Sequence, residues 1–333
     1  MPKQWSAEQV LELARAFQPA CILAAAAELD IFTGLADRPI TAARLAAKLG
    51  ADPRATAVLL DALAALDLLE KQEDTYSVPA EVAEILCEQS PDNVLPGIRH
   101  LGNCLRRWAQ LAQVTKTDTS AQRVPSIRGE EADTAAFIGA MHNFCAPVTD
   151  EIIERLRPLR FRHLLDVGGA SGTWTIAFLR AAPDAKATLF DLPEAIPLAR
   201  KRIAEAGLTN RVSLVAGDFY EHDLPGGADF AWVSAITHQN SRRQNRTLFA
   251  RVHAALAEDG VIAIRDVVMD NSRTSPAAGA LFAVNMLVGT ESGGTYTFDE
   301  FQQDLLHAGL TNVTLIHHDE RMNSLIRAQK QGP

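Results

Sequence analysis

The sequence predicts an α/β chain in two parts: a mainly α-helical N-terminal domain built on a winged helix, then a doubly wound, mostly parallel sheet that closes with an antiparallel C-terminal hairpin strand. Three observations carry this prediction. Two capped helices followed by a short hairpin occupy residues 41–78, which is a winged-helix pattern. From Phe161 onward short apolar strands alternate with helices, the mark of a parallel sheet covered on both faces. The first of those strands runs into a glycine-rich turn, "LLDVGGASGTWTIAFL", where the backbone makes room for a ligand. At 333 residues the chain exceeds one comfortable core, so two domains are expected.

The N-terminal elements follow from their punctuation. Ser6 with Gln9 three residues on is a capping-box pattern that opens an alanine- and leucine-rich helix. Pro19 should bend or break it, and a second helix then runs to about Leu29. Thr41 caps a helix that stops at Gly50, and Asp52 caps the next with Pro53 in its first turn. Leu59, Ala62, Leu63 and Leu66 form the apolar stripe of that helix, with Asp61 and Asp67 off it. "LLEKQ" and "TYSV" around "ED" make the wing. A DNA reader needs a basic recognition helix, and "PRATAVLLDALAALDLL" has one Arg and two Asp. A packing and dimerisation role is therefore expected, with no nucleic-acid partner; the formal net charge of −9 agrees.

Two further helical segments, "VLPGIRHLGNCLRRWAQLAQV" and "DTAAFIGAMHNFCAPVTDEIIERL", lead to the sheet. Its strands are "HLLDV", "KATLFDL", "RVSLVAGDF", "ADFAWVSAI" and "VIAIRDVVM". The helices between include one starting at Ser171 and "RQNRTLFARVHAALAEDG". The tail "LTNVTLIHHDERMNSLIRAQK" breaks the alternation with two antiparallel strands. Cys21, Cys87, Cys104 and Cys145 show no metal-like spacing and are expected as reduced thiols, in keeping with a cytoplasmic protein. The longest apolar stretch, "ACILAAAAELDIF", is interrupted by Glu28 and Asp30 and falls short of the ~20 residues a bilayer requires, so no membrane partner is expected.

Which ligand does the glycine turn hold? In an open parallel sheet it sits beyond the carboxyl ends of the strands, where Asp166, Asp191 and Asp218 are expected to gather. The dinucleotide fingerprint fails, with Ala170 and Thr173 where glycines belong, and no phosphate-loop Gly-Lys-Ser/Thr follows. A carboxylate just before the turn is awkward for a pyrophosphate and suits a cation. S-adenosylmethionine fits: it carries an ammonium and a sulfonium, a ribose diol for Asp191, and an adenine for Asp218 and Phe219.

"DVGGASG", "FDLPE", "GDFYEHDLPGGAD" and "AEDGVIAIRDVV", behind a winged helix, resemble the S-adenosylmethionine-dependent O-methyltransferases of plant caffeate and bacterial antibiotic-tailoring type. The resemblance implies a Rossmann-like class I methyltransferase sheet at 111–333, with substrate-covering helices at its start. It also implies a dimerisation domain at 1–110 whose helices intertwine in a homodimer. It carries cofactor binding to Gly168, Asp191, Leu192, Asp218 and Phe219, with Ser234 where the family has a basic residue. Ala170 departs from the family's glycine.

By the same resemblance His238, in "VSAITHQNS", is the general base, and Asp266, in "IRDVV", is its supporting acid. A phenol and an imidazole differ by about 3.5 pKa units, roughly 4.8 kcal/mol against full proton transfer. A carboxylate that stabilises imidazolium narrows that gap. The family's residues on the acceptor side have drifted: Gln239 replaces an acid, Asn240 an aromatic, and Thr295 and Tyr296 stand where the family's second supporting acid falls. Trp108, Met141, Phe144, Asn285, Met286 and Tyr296 are expected to wall the acceptor, a small hydroxylated aromatic or polyketide-like molecule. Gln239 removes the carboxylate that metal-using relatives pair with histidine, so no metal is expected. Transfer to carbon or nitrogen, a cofactor-binding regulator and a non-methylating cyclase remain as alternatives on this scaffold.

Overall fold

A computed structural model describes residues 4–331. The chain forms two compact units, Met1–Ala109 with Arg123–Asn143 and Gln110–Gln122 with Phe144–Pro333. This interleaved division differs from a single cut at residue 110.

In the first unit α1 (Ala7–Arg15) starts on the expected Ser6–Gln9 capping box. The break from α2 (Phe17–Glu28) falls at Ala16, and Pro19 sits in the first turn of the second helix. A proline at 19 has no N–H for the Arg15 carbonyl, so the chain parts just where that bond is missing. By length and composition Ala7–Glu28, taken together, is long and apolar enough to cross a membrane, although only 17% of its apolar window is buried. No single uninterrupted apolar run in the sequence marks it.

Next come α3 (Ile31–Leu35), β1 (Ile40–Thr41), α4 (Ala42–Leu49), α5 (Pro53–Ala65), the wing strands β2 (Glu70–Gln72) and β3 (Thr75–Ser77), α6 (Ala80–Leu86) and α7 (Leu95–Trp108). Thr41 and Asp52 cap α4 and α5 as expected, and Gly50 ends α4 at φ +66°. The buried stripe of α5 is Thr56, Leu60 and Leu63. Leu66 and Val58 are exposed, so the stripe is rotated from the one the sequence suggests. β1 pairs with β3, making a three-stranded wing. Val10, Leu13 and Phe17 on the first two helices, with Trp5 just before them, leave an exposed apolar surface. After α8 (Leu111–Thr117), which belongs to the second unit, α9 (Glu130–Cys145) packs on α7, where Asn143 accepts from Gly97 N–H and donates to the Asn93 carbonyl.

The second unit continues with α10 (Thr149–Arg155), β4 (His163–Val167), α11 (Thr173–Ala181), β5 (Lys186–Asp191), α12 (Ile196–Glu205), β6 (Val212–Ala216), β7 (Ala228–Ser234), α13 (Arg242–Ala255), β8 (Leu256–Asp266), β9 (Val268–Met269), α14 (Ala277–Gly289), β10 (Tyr296–Thr297), α15 (Phe298–His307), β11 (Leu310–His317) and β12 (Ser324–Lys330). The main sheet runs β11-β12-β8-β7-β4-β5-β6, parallel from β8 to β6, with β12 antiparallel to β8 and β11 to β12. α13 ends earlier than its sequence suggests, because Leu256 is already paired with Ala228.

The chain moves outward through β4, β5 and β6, then returns to lay β7 against the other side of β4. β4 and β7 therefore flank the switch point where open sheets hold ligands. Apolar layers cover both faces: Phe249, Val252, Ile264 and Phe301 on one, Trp174, Phe178, Leu189 and Trp232 on the other. Gly168, Asp191, Ser234 and Asp266 all lie at or just beyond the carboxyl ends of neighbouring strands.

Candidate active site

The turn after β4 has the geometry of a cradle. Gly168 sits at φ +69°, and a Cβ there would meet Ile236 Cδ1 at 2.5 Å, so the turn lies hard against the loop that follows β7. Ala170 occupies the left-handed region at φ +46°, which costs a side-chain-bearing residue about 1–2 kcal/mol. Its N–H donates to Asp191 Oδ2 at 2.6 Å, a charge-assisted bond that offsets the strain. Alanine thus fits where the family's glycine was expected.

Leu192 N–H donates to the other Asp191 oxygen at 2.7 Å, so the carboxylate is fixed by two backbone donors and keeps lone pairs for a ligand diol. Leu192 itself is 47% exposed. Asp218 Oδ1 accepts from Tyr220 N–H at 2.8 Å, which shapes the turn carrying Phe219. Ser234, expected near the cofactor, accepts from the Arg265 guanidinium of the adjacent strand at 3.2 Å.

Asp166 does not join the rim as expected. It is 1% exposed and takes the Thr175 hydroxyl of α11 at 2.6 Å, so it lies beneath the turn and ties strand to helix. Burial, and then the nearby Asp191 carboxylate, push its carboxyl up to about 7 against the Thr175 hydrogen bond. Burial also raises Asp191. The mutual repulsion of the Asp166 and Asp191 carboxylates is the part of this that favours an added positive charge at this end of the sheet.

A raised carboxyl favours the folded state at low pH and loses that contribution as pH climbs through its folded value. Asp166→Asn should therefore gain stability relative to the parent by about 3 kcal/mol between pH 5 and pH 8. Urea denaturation at the two pH values measures it, and a pH-independent difference would refute it.

The loop after β7 carries the second half of the site. Ala235 takes φ +58° and its N–H bonds the Arg265 carbonyl at 2.8 Å, turning the chain into the short 3₁₀ turn Thr237–Gln239. His238 is 7% and Asp266 2% exposed, and His238 Nδ1 lies 2.8 Å from Asp266 Oδ1. The carboxylate also accepts from Thr237 Oγ1 at 2.5 Å, His238 N–H at 3.2 Å and Val267 N–H at 2.8 Å. Burial works to raise Asp266, but the imidazole and these hydrogen bonds outweigh it and hold the acid below its usual range. An ionised carboxylate only accepts, so Nδ1 carries the proton and Nε2 has the lone pair. The pair is a proton acceptor with a fixed tautomer.

The acceptor-side residues divide. Phe144, Asn285, Met286 and Tyr296 belong to the second unit, and Trp108 and Met141 to the first. Met286 is buried and Phe144 exposed. The Tyr296 hydroxyl, expected to contact the acceptor, instead donates to the Asn240 carbonyl, and burial raises it to about 12. Sequence reasoning missed Phe282, whose ring meets the His238 imidazole edge-on at 4.8 Å. It lies one helical turn before Asn285 and Met286, a spacing that would have found it.

Known proteins are similar to this chain over nearly its whole length. Residues 121–311 match the family model of an O-methyltransferase domain, and residues 11–88 that of an O-methyltransferase dimerisation domain. The chain is 34% identical over 313 residues to the tetracenomycin polyketide synthesis 8-O-methyl transferase TcmO of Streptomyces glaucescens, covering 91% of each protein. It is 31% identical over 299 residues to a 3-hydroxy-5-methyl-1-naphthoate 3-O-methyltransferase of Streptomyces sahachiroi, covering 88% of this chain and 86% of that one. The solved structure of PigF with SAH superposes with a TM-score of 0.86 at 25% identity, covering 98% of this chain and all of that one.

Proposed function

The chain belongs to the O-methyltransferase family, and on that premise we propose that it moves a methyl group from S-adenosylmethionine to a hydroxyl of a small aromatic or polyketide-like metabolite, with His238 as general base. The observation that carries the reading is the buried His238–Asp266 pair with Nε2 left to accept a proton, set beside a glycine turn that abuts its loop. Two relatives above 30% identity are named as O-methyltransferases, one of polyketide synthesis and one of a naphthoate, which supports the acceptor class.

The residues present fit the cofactor. Asp191, held by two N–H donors, suits a ribose diol, and Phe219 suits the face of an adenine. The Gly168 turn packs directly on Ile236 of the loop after β7, and the Asp191 carboxylate at the rim favours a cationic ligand over a phosphate. When bound, S-adenosylmethionine supplies a methyl carbon already activated by its sulfonium.

The chain's own work is then to hold the acceptor oxygen in line, exclude water and take one proton. His238 Nε2 accepts that proton from the hydroxyl. Asp266 stabilises the imidazolium, and Thr237 and Val267 hold Asp266 in place. Phe282 packs on the imidazole and limits water around it. Phe144, Asn285 and Met286 of the second unit are assigned to the acceptor wall. Leu11, Leu13 and Phe17, exposed and within the matched dimerisation domain, support a homodimer, and four cysteines free of disulfides suit a cytoplasmic enzyme.

A panel of hydroxynaphthoates and polyketide phenols incubated with methyl-labelled S-adenosylmethionine tests the reading. O-methyl product with stoichiometric S-adenosylhomocysteine is expected. Label on carbon or nitrogen, or no release, would overturn it.

A further inference from the structure

Position 240, aromatic in the family, is the buried Asn240 here, and it makes hydrogen bonds to three separate elements. Its amide oxygen accepts from the Tyr220 hydroxyl, on the loop that carries Asp218 and Phe219. Its amide nitrogen donates to Asn245 Oδ1 on α13 at 2.9 Å. Its carbonyl accepts from the Tyr296 hydroxyl on β10. Asn245, itself buried, returns a hydrogen bond of 3.0 Å to the Thr237 carbonyl, which belongs to the peptide joining Thr237 to His238. Thr237 Oγ1 then reaches Asp266.

A continuous hydrogen-bonded path thus runs Tyr220–Asn240–Asn245–Thr237–Asp266–His238. Its outer end, Tyr220, packs against Phe219 at 4.6 Å and is 44% exposed, while Asn240 is fully buried. A fully buried asparagine with this pattern has one low-energy placement, because rotating it would strand its partners without water to replace them.

We propose that Asn240 is a positioning residue, a polar latch that couples the Asp218–Tyr220 loop to the orientation of the His238 imidazole, so that filling the adenine end of the site sets the base. This rests on the methyl-transfer reading above, since it takes Phe219 as the adenine contact and His238 as the base. An aromatic side chain at 240 offers no acceptor for Tyr220, so the coupling belongs to this chain's own departure from its family.

The test uses the full-length protein, S-adenosylhomocysteine and Tyr220→Phe. The substitution removes one hydroxyl from a half-exposed ring and leaves the fold intact. ¹⁵N signals of the His238 imidazole should move when the ligand is added to the parent, and move less in Tyr220→Phe. A direct through-space effect of the ligand would be equal in the two proteins. kcat should fall about fivefold, the worth of one hydrogen bond, while ligand affinity stays within about twofold. Asn240→Ala should lose the response as well, and adding Tyr220→Phe to it should change nothing further. If the parent binds ligand and its His238 signals respond as in Tyr220→Phe, the latch is wrong and the methyl-transfer reading stands. If the parent does not bind S-adenosylhomocysteine at all, both fall.

Discussion

Replacing His238 with alanine should lower kcat for O-methyl transfer by about 10²–10⁴-fold, with affinity for S-adenosylhomocysteine unchanged within about twofold. The size follows from what the imidazole does. A phenol gives up its proton to solvent slowly at neutral pH, and the methyl acceptor is the oxygen anion that forms as the proton leaves. His238 Nε2 is the proton acceptor, and its ring is pinned by Asp266 at 2.8 Å and by Phe282. The affinity control separates loss of a base from collapse of the cradle, because Asp191 ends β5 and is held by the Ala170 and Leu192 N–H groups, not by His238. Retention of more than a tenth of the parent kcat would remove His238 from the base role. It would also favour an acceptor atom that needs no deprotonation.

Asp266→Asn should be nearly as damaging, for a reason specific to its hydrogen bonds. The carboxylate accepts from four donors: Thr237 Oγ1, His238 N–H, His238 Nδ1 and Val267 N–H. An amide has one acceptor oxygen. If that oxygen stays with Thr237 and the His238 backbone, the amide N–H₂ faces Nδ1, which must then shed its proton to accept. The proton moves to Nε2, and the nitrogen that should receive the acceptor's proton is already occupied. A drop of about 10²-fold or more in kcat is expected, the behaviour of other bases whose supporting acid is amidated. Because Asp266 is held below its usual range, the parent keeps its carboxylate well into acid. Protonation of Asp266 therefore does not set the acid limb of its rate profile. A variant with the parent's kcat and profile would show that Asp266 is structural.

The fold was legible where local chemistry decides. Caps at Ser6, Thr41 and Asp52, the turn glycine at 50 and the strand-helix alternation after Phe161 all stand where the sequence puts them. Errors arose where tertiary pairing overrides a local pattern. The end of α13 yields to the Ala228–Leu256 pair, and the apolar stripe of α5 shifts to Thr56, Leu60 and Leu63.

At the site, the His238–Asp266 contact was legible only through resemblance, since 28 residues separate the partners. The sequence offers no sign that Asp166 turns under its own loop toward Thr175, because a strand-end acid reads the same whether it faces solvent or helix. The Tyr220–Asn240–Asn245 path was equally hidden. Its residues look like ordinary polar ones until the burial of Asn240 and Asn245 shows that both must have partners.

Calorimetric titration of the purified parent with S-adenosylhomocysteine, and separately with NADH and ATP, tests the central claim most directly. Saturable binding of S-adenosylhomocysteine at micromolar concentration is expected, weakened by Asp191→Ala, with no comparable heat from either phosphate-bearing ligand. Tight binding of NADH or ATP, with no response to S-adenosylhomocysteine at millimolar concentration, would contradict the assignment of this site.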